Sequence, residues 1–208
     1  MSQHIIIKES EQFLERIKCS SDILLISHSN PDGDAIGSVT GLKNFLKSRG
    51  INSVIVVPNT YPDYLSFLDE DKEIVVYSLE RDRAIELADK ADLIIALDFN
   101  QLSRVDELEK HVLDSEAFKI LIDHHPMPDT ETFDLVISDT EVSSTAELLF
   151  WLLLSVQKNE GKSEMLSQET AKSLYVGMMT DTNNFSNSVS SGTFMMASIL
   201  LESGVDKD

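Results

Sequence analysis

Three uninterrupted apolar runs restrict the folds open to this 208-residue chain. They are residues 23–26, 93–97 and 120–122, within the predicted strands 23–27, 93–97 and 119–122, and polar residues follow each run directly. A strand buried on both faces has this continuous rather than alternating pattern, and such strands are typical of parallel sheets. Helix-like segments separate the runs, most clearly at 35–49, where apolar residues recur at helical spacing up to Gly50. The sequence therefore predicts an α/β fold with a doubly wound, mainly parallel sheet and helices on both faces.

Weaker patterns complete the predicted order of elements. Two glycines, Gly37 and Gly41, are unfavourable inside a helix unless they permit close contact, so we expect helix 35–49 to lie tight against the sheet. Segment 61–68 is predicted as a loop or a short helix, and a helix is expected within 99–118. The remaining predicted elements are strands 53–57, 73–77 and 133–138 and helices 8–18, 81–89, 145–157, 167–178 and 191–203.

Four clusters of metal-competent residues follow these elements: His28/Asp32/Asp34, Asp98, Asp123/His124/His125, and Asp181 in a polar loop. Ligands of open parallel sheets bind outside the carboxyl ends of the strands, where most of these residues are expected. Each cluster alone has a structural explanation, such as a turn or a helix cap. Together they favour a divalent metal site, and a carboxylate-rich site with few imidazoles suits Mn²⁺ or Mg²⁺ better than structural zinc.

Composition limits the classes of function. The net charge of −19 argues against a basic nucleic-acid groove, and an anionic substrate would need metal ions and basic surface from elsewhere. The single cysteine, Cys19, excludes an intrachain disulfide and agrees with a reducing compartment. The apolar run 148–154 is too short to span a bilayer, and the first residues do not form a signal peptide. We therefore expect a cytoplasmic protein with no membrane partner.

The ordered motifs resemble those of the DHH phosphoesterase superfamily. The resemblance spans nearly the whole chain, and Arg104, segment 143–147 and the overall length resemble the branch of bifunctional oligoribonucleases (nano-RNases) and 3′-phosphoadenosine-5′-phosphate phosphatases. The motifs are His28-Ser29-Asn30-Pro31-Asp32-Gly33-Asp34-Ala35-Ile36-Gly37, Leu97-Asp98, Asp123-His124-His125 and Asp181-Thr182-x-x-Phe185.

The resemblance implies a site for two divalent ions, Mn²⁺ or alternatively Mg²⁺. One ion would be bound by His28, Asp32 and Asp98. The second would be bound by Asp34, His124 and Asp181, with Asp98 shared between the two ions. Four carboxylates balance the charge of two divalent cations, and two such ions can activate a shared water and hold phosphoryl oxygens.

Further roles are also implied by the resemblance. Asp123 would fix the tautomer of an imidazole, and His125 would contact the substrate or leaving group as a general acid or a phosphate donor. A purely structural role for His125 is the alternative. Arg104 and Ser144 are candidate substrate contacts. For Ser144, however, the pattern Ser144-x-x-Glu147 favours helix capping.

The implied enzyme is a manganese-dependent phosphoesterase that hydrolyses short oligonucleotides, 3′-phosphonucleotides or both with a metal-activated water. Residues 1–203 would form the catalytic DHH domain and 204–208 the start of a linker. The DHHA1 domain, with its Gly-Gly-Gly-His loop and basic residues, is absent from these 208 residues. Alternatives are a pyrophosphatase, an exopolyphosphatase, a dinucleotide phosphodiesterase, a RecJ-like exonuclease, which acidity disfavours, and a nucleotide sensor without turnover. A homodimer is left open.

Overall fold

The computed structural model describes residues 7–162 and 165–206, so the end of the predicted linker, 207–208, lies outside it. This part of the chain forms seven α-helices and six strands, with two 3₁₀ segments, Asp63–Leu68 and Leu102–Val105, in the connections. The helices are α1 Ser10–Cys19, α2 Gly33–Lys47, α3 Arg81–Lys90, α4 Leu108–Asp114, α5 Thr145–Asn159, α6 Gln168–Asp181 and α7 Ser191–Glu202. The strands are β1 Ile23–Ser27, β2 Ser53–Val57, β3 Val75–Val76, β4 Leu93–Leu97, β5 Phe118–Asp123 and β6 Leu135–Ser138.

All six strands are parallel, in the order β3-β2-β1-β4-β5-β6. Ser27 pairs with Leu97, and Leu97 pairs with Ile122, so the carboxyl ends of β1, β4 and β5 lie side by side. The strand order reverses between β1 and β4, which opens a crevice at their carboxyl ends. The predicted fold class is confirmed, and this crevice is where the candidate site lies.

Two hydrophobic cores cover the two faces of the sheet. Leu25 and Ile95 belong to the core formed with α1, α2, α5, α6 and α7, whereas Leu24 and Ile94 belong to the core formed with α3 and α4. Successive side chains of a strand point to opposite faces, so continuous apolar runs are needed to fill both cores. No helix in residues 7–162 and 165–206 combines the length and hydropathy required to cross a membrane.

Helices α2 and α6 approach each other at backbone distance. A Cβ atom on Gly37 would lie 2.6 Å from the carbonyl oxygen of Ser173 and 2.8 Å from the amide nitrogen of Gly177. Helix α2 packs on the sheet as predicted, with Leu42 in the same core as Leu25, but its glycines Gly37 and Gly41 face α6 and not the sheet. Glycine permits this approach because it has no Cβ. The ends of α2 and α6 that carry Asp34 and Asp181 are consequently held next to each other.

Several element bounds differ from the prediction. Strand β3 is shorter than the apolar run 73–77, and the helix expected within 99–118 is split by Asp106, whose φ is +50°. Helix α2 begins two residues early, at Gly33, because Asp32 caps it. Helix α6 continues to Asp181, which is therefore the last residue of a helix and not a loop residue.

Candidate metal centre

The turn after β1 is fixed by its own side chains. Asp32 is the N-cap of α2, and its Oδ1 accepts hydrogen bonds from the backbone amides of Asp34 (3.0 Å) and Ala35 (3.1 Å). His28 is buried and its Nδ1 lies 2.9 Å from the carbonyl oxygen of Ser29. Because a carbonyl can only accept, this bond requires the proton on Nδ1 and leaves Nε2 with a free lone pair. That Nε2 lies 3.4 Å from Oδ2 of Asp98.

Asp98 directly follows β4 in a left-handed backbone conformation, with φ +69°. Its amide donates to the carbonyl of Ile122 (3.1 Å), and its Oδ1 accepts a hydrogen bond from Oγ1 of Thr145 (2.9 Å). Non-glycine residues in this region are uncommon, and aspartate and asparagine tolerate it better than most. The strained backbone turns a fully buried carboxylate towards the crevice, as is frequent at functional sites.

The amino end of α5 binds the second buried carboxylate, that of Asp34. The amide of Thr145 donates to Oδ2 (2.7 Å), and the amide of Ala146 donates to Oδ1 (2.9 Å). Ser38 Oγ, one turn further along α2, lies 3.4 Å from the same Oδ1. The first amides of a helix have no partner within the helix and favour negative charge, so Asp34 uses donors that would otherwise be unsatisfied.

Burial dominates the electrostatics of these acids. It is the largest cause that raises the pKa of Asp34, and repulsion by Asp98 and Asp181 adds to it, while the Ala146 and Thr145 amides oppose it. Burial likewise raises the pKa of Asp98, with Asp32 adding repulsion and the Thr145 hydroxyl opposing it. The pKa of Asp181 is also raised by burial, against the lowering effect of His124. Divalent cations would remove the repulsion that these carboxylates experience without them.

The Asp123-His124-His125 segment orients its two imidazoles differently. His125 Nδ1 lies 2.7 Å from Oδ1 of the fully buried Asp123, and the His125 amide donates to the other oxygen (3.1 Å). The hydrogen bond to Asp123 raises the pKa of His125 to about 9. His124 Nε2 instead lies 3.5 Å from Oδ2 of Asp181, and the two rings meet edge to face at 4.6 Å. Asp123 therefore fixes the imidazole of His125, not that of His124.

The structure brings all six predicted ligands together. Within each of three groups, one potential ligand atom from each residue lies within 4.8 Å of those of the other two. No lysine or arginine forms an ion pair with these acids in the described part of the chain, so the donor set suits hard divalent ions. The groups are His28/Asp32/Asp98, Asp34/His124/Asp181 and Asp98/His124/His125.

The two predicted substrate contacts lie in different environments. Arg104 has an exposed side chain, and its carbonyl accepts a hydrogen bond from the amide of Ser29 (2.8 Å), which ties the second motif to the first. Ser144 is fully buried and caps α5, with its Oγ accepting from the amide of Glu147 (3.0 Å). The Glu147 carboxylate bonds Ser143, at its amide and its hydroxyl, so only half of the predicted capping box forms. A substrate role for Arg104 or Ser144 stays a prediction.

Sequence reasoning missed the residues that support the ligands. Thr145 contacts both buried carboxylates, through its amide and its hydroxyl. Asn100 and Gln101 follow Asp98 and donate to the carbonyls of Pro126 (2.8 Å) and Met127 (3.0 Å), so the β4 loop holds the loop that carries His124 and His125. No local pattern signals these long-range bonds, although the Thr145 position at a well-predicted helix start was a usable indication.

The fold and site define a doubly wound α/β protein with a candidate dinuclear metal centre at the point where its strand order reverses. Residues 22–178 match the DHH family, N-terminal domain, and the chain belongs to that family.

Relatives and solved structures agree with this assignment. The chain is 32% identical over 194 residues to the "Probable bifunctional oligoribonuclease and PAP phosphatase NrnA" of Streptococcus mutans, covering 93% of this chain and 56% of that protein. It is 28% identical to the cyclic-di-AMP phosphodiesterase GdpP of Geobacillus thermodenitrificans, covering 95% of this chain and 30% of that protein. The crystal structure of an exopolyphosphatase-related protein from Bacteroides fragilis superposes with a TM-score of 0.91 at 38% identity, covering 100% of this chain and 60% of that one. The chain thus spans about half the length, or less, of the curated relatives it matches.

Proposed function

We propose that this chain is the catalytic domain of a metal-dependent phosphoesterase that hydrolyses short oligonucleotides, 3′-phosphonucleotides or both. One observation carries the proposal. The buried carboxylate of Asp34 lies beside His124 and that of Asp98 beside His28, where the strand order of the sheet reverses. Carboxylates are rarely buried without cationic partners unless they bind metal ions. The substrate class follows from similarity to a protein named as an oligoribonuclease and PAP phosphatase.

The ligand sets expected from the motifs fit the observed groups. His28, Asp32 and Asp98 would hold one ion and Asp34, His124 and Asp181 the other, with Asp98 contributing to both. When bound, two divalent ions, Mn²⁺ or Mg²⁺, lower the pKa of a water and neutralise charge on the phosphoryl oxygens. The hydroxyl of Thr145 and the amide of Ala146 fix the orientation of the two buried carboxylates that would bind the ions.

His125 supplies the proton chemistry in this proposal. Its ring is held by Asp123 through Nδ1, so Nε2 is the nitrogen available to the crevice. The hydrogen bond to Asp123 raises the pKa of His125 and so favours the imidazolium form, in which Nε2 donates to a phosphoryl or leaving-group oxygen. Asp123 fixes the ring orientation and stabilises its positive charge.

Attraction of an anionic substrate requires basic surface that this chain does not provide. With a net charge of −19 the chain repels polyanions at long range. We therefore propose that a DHHA1 domain in the same protein supplies cations that close over the crevice. The matched curated relatives are long enough for such a second half, because the chain covers 56% of the Streptococcus mutans protein.

Substitution of Asp98 tests the proposal. Asp98→Asn keeps a side chain that tolerates the left-handed backbone, removes the charge and should abolish both Mn²⁺ binding and hydrolysis in the complete gene product. Asp89→Ala, at an exposed position of α3, removes the same charge elsewhere and should leave both unchanged. Full activity of Asp98→Asn would refute the assignment.

A panel of substrates separates the rival activities. The candidates are pApA, short RNA, 3′-phosphoadenosine-5′-phosphate, pyrophosphate and polyphosphate. The similarity to an exopolyphosphatase-related structure makes polyphosphate the strongest competitor. We expect pApA or 3′-phosphoadenosine-5′-phosphate to be hydrolysed faster than pyrophosphate and polyphosphate. If calorimetry showed that nucleotides bind but are not hydrolysed in excess Mn²⁺, the result would instead indicate a nucleotide sensor.

A further inference from the structure

An open cavity extends from the metal centre along two surface segments. Its volume is about 1050 Å³, slightly above the ~300–1,000 Å³ typical of small-ligand sites. Segments 124–126, 140–143 and 186–188 line it together with Asp181, so it begins at the imidazoles of the site. We call it the 140/187 cavity after the two outer segments.

The 140/187 cavity is polar but carries no positively charged side chain of its own other than histidine. Hydroxyls and an amide dominate its outer part, from Thr140, Ser186, Asn187 and Ser188, and Glu141 adds a carboxylate. Among the described lining residues there is no lysine or arginine. A pyrophosphate or polyphosphate chain that extended past the two histidines into the outer part of this cavity would meet no lysine or arginine there, whereas neutral sugar hydroxyls and base edges would find donors and acceptors.

The segment that presents Ser186 and Asn187 is held rigidly. Thr182 is fully buried, and its carbonyl accepts hydrogen bonds from the amides of Ser186 (2.8 Å) and Asn187 (2.9 Å). The Thr182 hydroxyl accepts a further bond from the amide of Phe185 (3.1 Å). Four residues of the turn adopt left-handed backbone conformations, with φ between +47° and +63°, namely Asn183, Asn184, Phe185 and Ser188.

This backbone presents side chains that the fold leaves unused. Ser186, Asn187 and Ser188 are exposed, and in residues 7–162 and 165–206 their side chains form no hydrogen bond. Strain of this kind in non-glycine residues persists where the surrounding structure holds it, and it is concentrated at binding and catalytic sites. The backbone that carries these groups is already held, so a ligand would need to order only their side chains.

We propose that the 140/187 cavity binds the nucleoside part of the substrate, and that Ser186 and Asn187 select nucleoside-bearing phosphate esters over pyrophosphate and polyphosphate. This inference rests on the proposed phosphoesterase activity and names the substrate class of the same site. The metal centre handles the phosphate, and the serine and asparagine side chains bind its neutral substituent.

The test uses three phosphate esters, of which two contain a nucleoside and one does not. The complete gene product carrying Ser186→Ala and Asn187→Ala is assayed with 3′-phosphoadenosine-5′-phosphate, with pApA and with bis(p-nitrophenyl) phosphate, which has no nucleoside. Loss of two hydrogen bonds should lower kcat/KM for the nucleotides by about 10- to 100-fold, chiefly through KM. Turnover of the nitrophenyl ester should stay within about twofold of wild type.

Two further variants control for structure. Asn187→Ser keeps a hydrogen-bonding group and should recover most of the nucleotide kcat/KM, and Asn52→Ala, at an exposed asparagine beside the start of β2, should change neither substrate. Equal losses on all esters would show a general structural role and overturn the inference. So would unchanged nucleotide kinetics, or a wild-type preference for pyrophosphate. Failure of the wild type to hydrolyse any phosphate ester with Mn²⁺ would instead refute the proposed function.

Discussion

Replacing Thr145 by valine should weaken metal binding without disturbing the helix. The hydroxyl of Thr145 donates to Oδ1 of Asp98 at 2.9 Å, and the side chain is fully buried. Valine is β-branched and close in volume, and the Thr145 backbone amide would still donate to Asp34. The substitution therefore removes one hydrogen bond to the shared carboxylate and little else.

The structure sets the size of this effect. A hydrogen bond to an ionised group contributes about 1.5–3 kcal/mol. The Thr145 hydroxyl opposes the rise that burial causes in the pKa of Asp98, so its loss raises that pKa further. A metal ion must then displace a proton that is held more tightly, and its affinity falls. We expect the Mn²⁺ dissociation constant to increase by about 10- to 100-fold, the range typical when a group orienting a metal ligand is lost.

The assay is Mn²⁺ binding measured by calorimetry and by electron paramagnetic resonance at pH 7.5 and pH 6.5. The deficit of Thr145→Val should be larger at pH 6.5, because a group with a raised pKa carries more proton as the pH falls. Thr145→Ser keeps the hydroxyl and should bind Mn²⁺ within about threefold of wild type. Equal dissociation constants for the valine and serine variants would refute the role assigned to this hydroxyl.

Three other predictions concern the ligands, the helix contact and acid stability. Asp32→Asn and Asp34→Asn should each leave one Mn²⁺ bound but empty different sites, so their resonance spectra should differ; identical spectra would contradict the two-site assignment. Gly177→Ala places a Cβ 2.9 Å from Oδ1 of Asp34 and 2.7 Å from the Ala146 Cβ, and should lower the free energy of unfolding by about 1–3 kcal/mol in urea titrations. Gly41→Ala meets chiefly the side chain of Leu174, whose Cδ2 would lie 2.8 Å away and can move, so it should cost less. Hydrogen bonds from Arg49, Lys18 and Lys162 lower the pKa of Glu160 to about 2, so its stabilisation is fully present above about pH 4.5 and is lost as the pH falls towards 2. Glu160→Gln should thus destabilise by about 1 kcal/mol at pH 7 and by less at pH 3, and an equal effect at both values would refute this.

Much of the sheet could be predicted from sequence, because a strand buried on both faces needs an unbroken apolar run. The bounds of β1, β2 and β4 were confirmed for this reason. The residues at the strand ends were also placed correctly next to one another, since parallel strands align their carboxyl ends. Asp181 was the partial failure: its polar neighbours resemble a loop, but packing against α2 extends the helix as far as this residue.

Long-range bonds were beyond sequence reasoning. The hydrogen bonds of Thr145 to Asp34 and Asp98 join residues 111 and 47 positions apart, and a pattern of propensities carries no information at that distance. The left-handed turn that exposes Ser186 and Asn187 was equally hidden, because none of its strained residues is a glycine. Glycine would have signalled positive φ in the sequence.

The contact between α2 and α6 makes the metal preference of the site largely independent of the stability of the fold, two properties that proteins often couple. Gly37 and Gly177 bring backbone atoms of the two helices together, and each of these helices carries an acid of the metal centre. The spacing between Asp34 and Asp181 is therefore determined by main-chain geometry and depends little on the shapes of core side chains. Substitutions elsewhere in the apolar core can change how readily the protein unfolds while its preference among divalent ions of different radius stays the same.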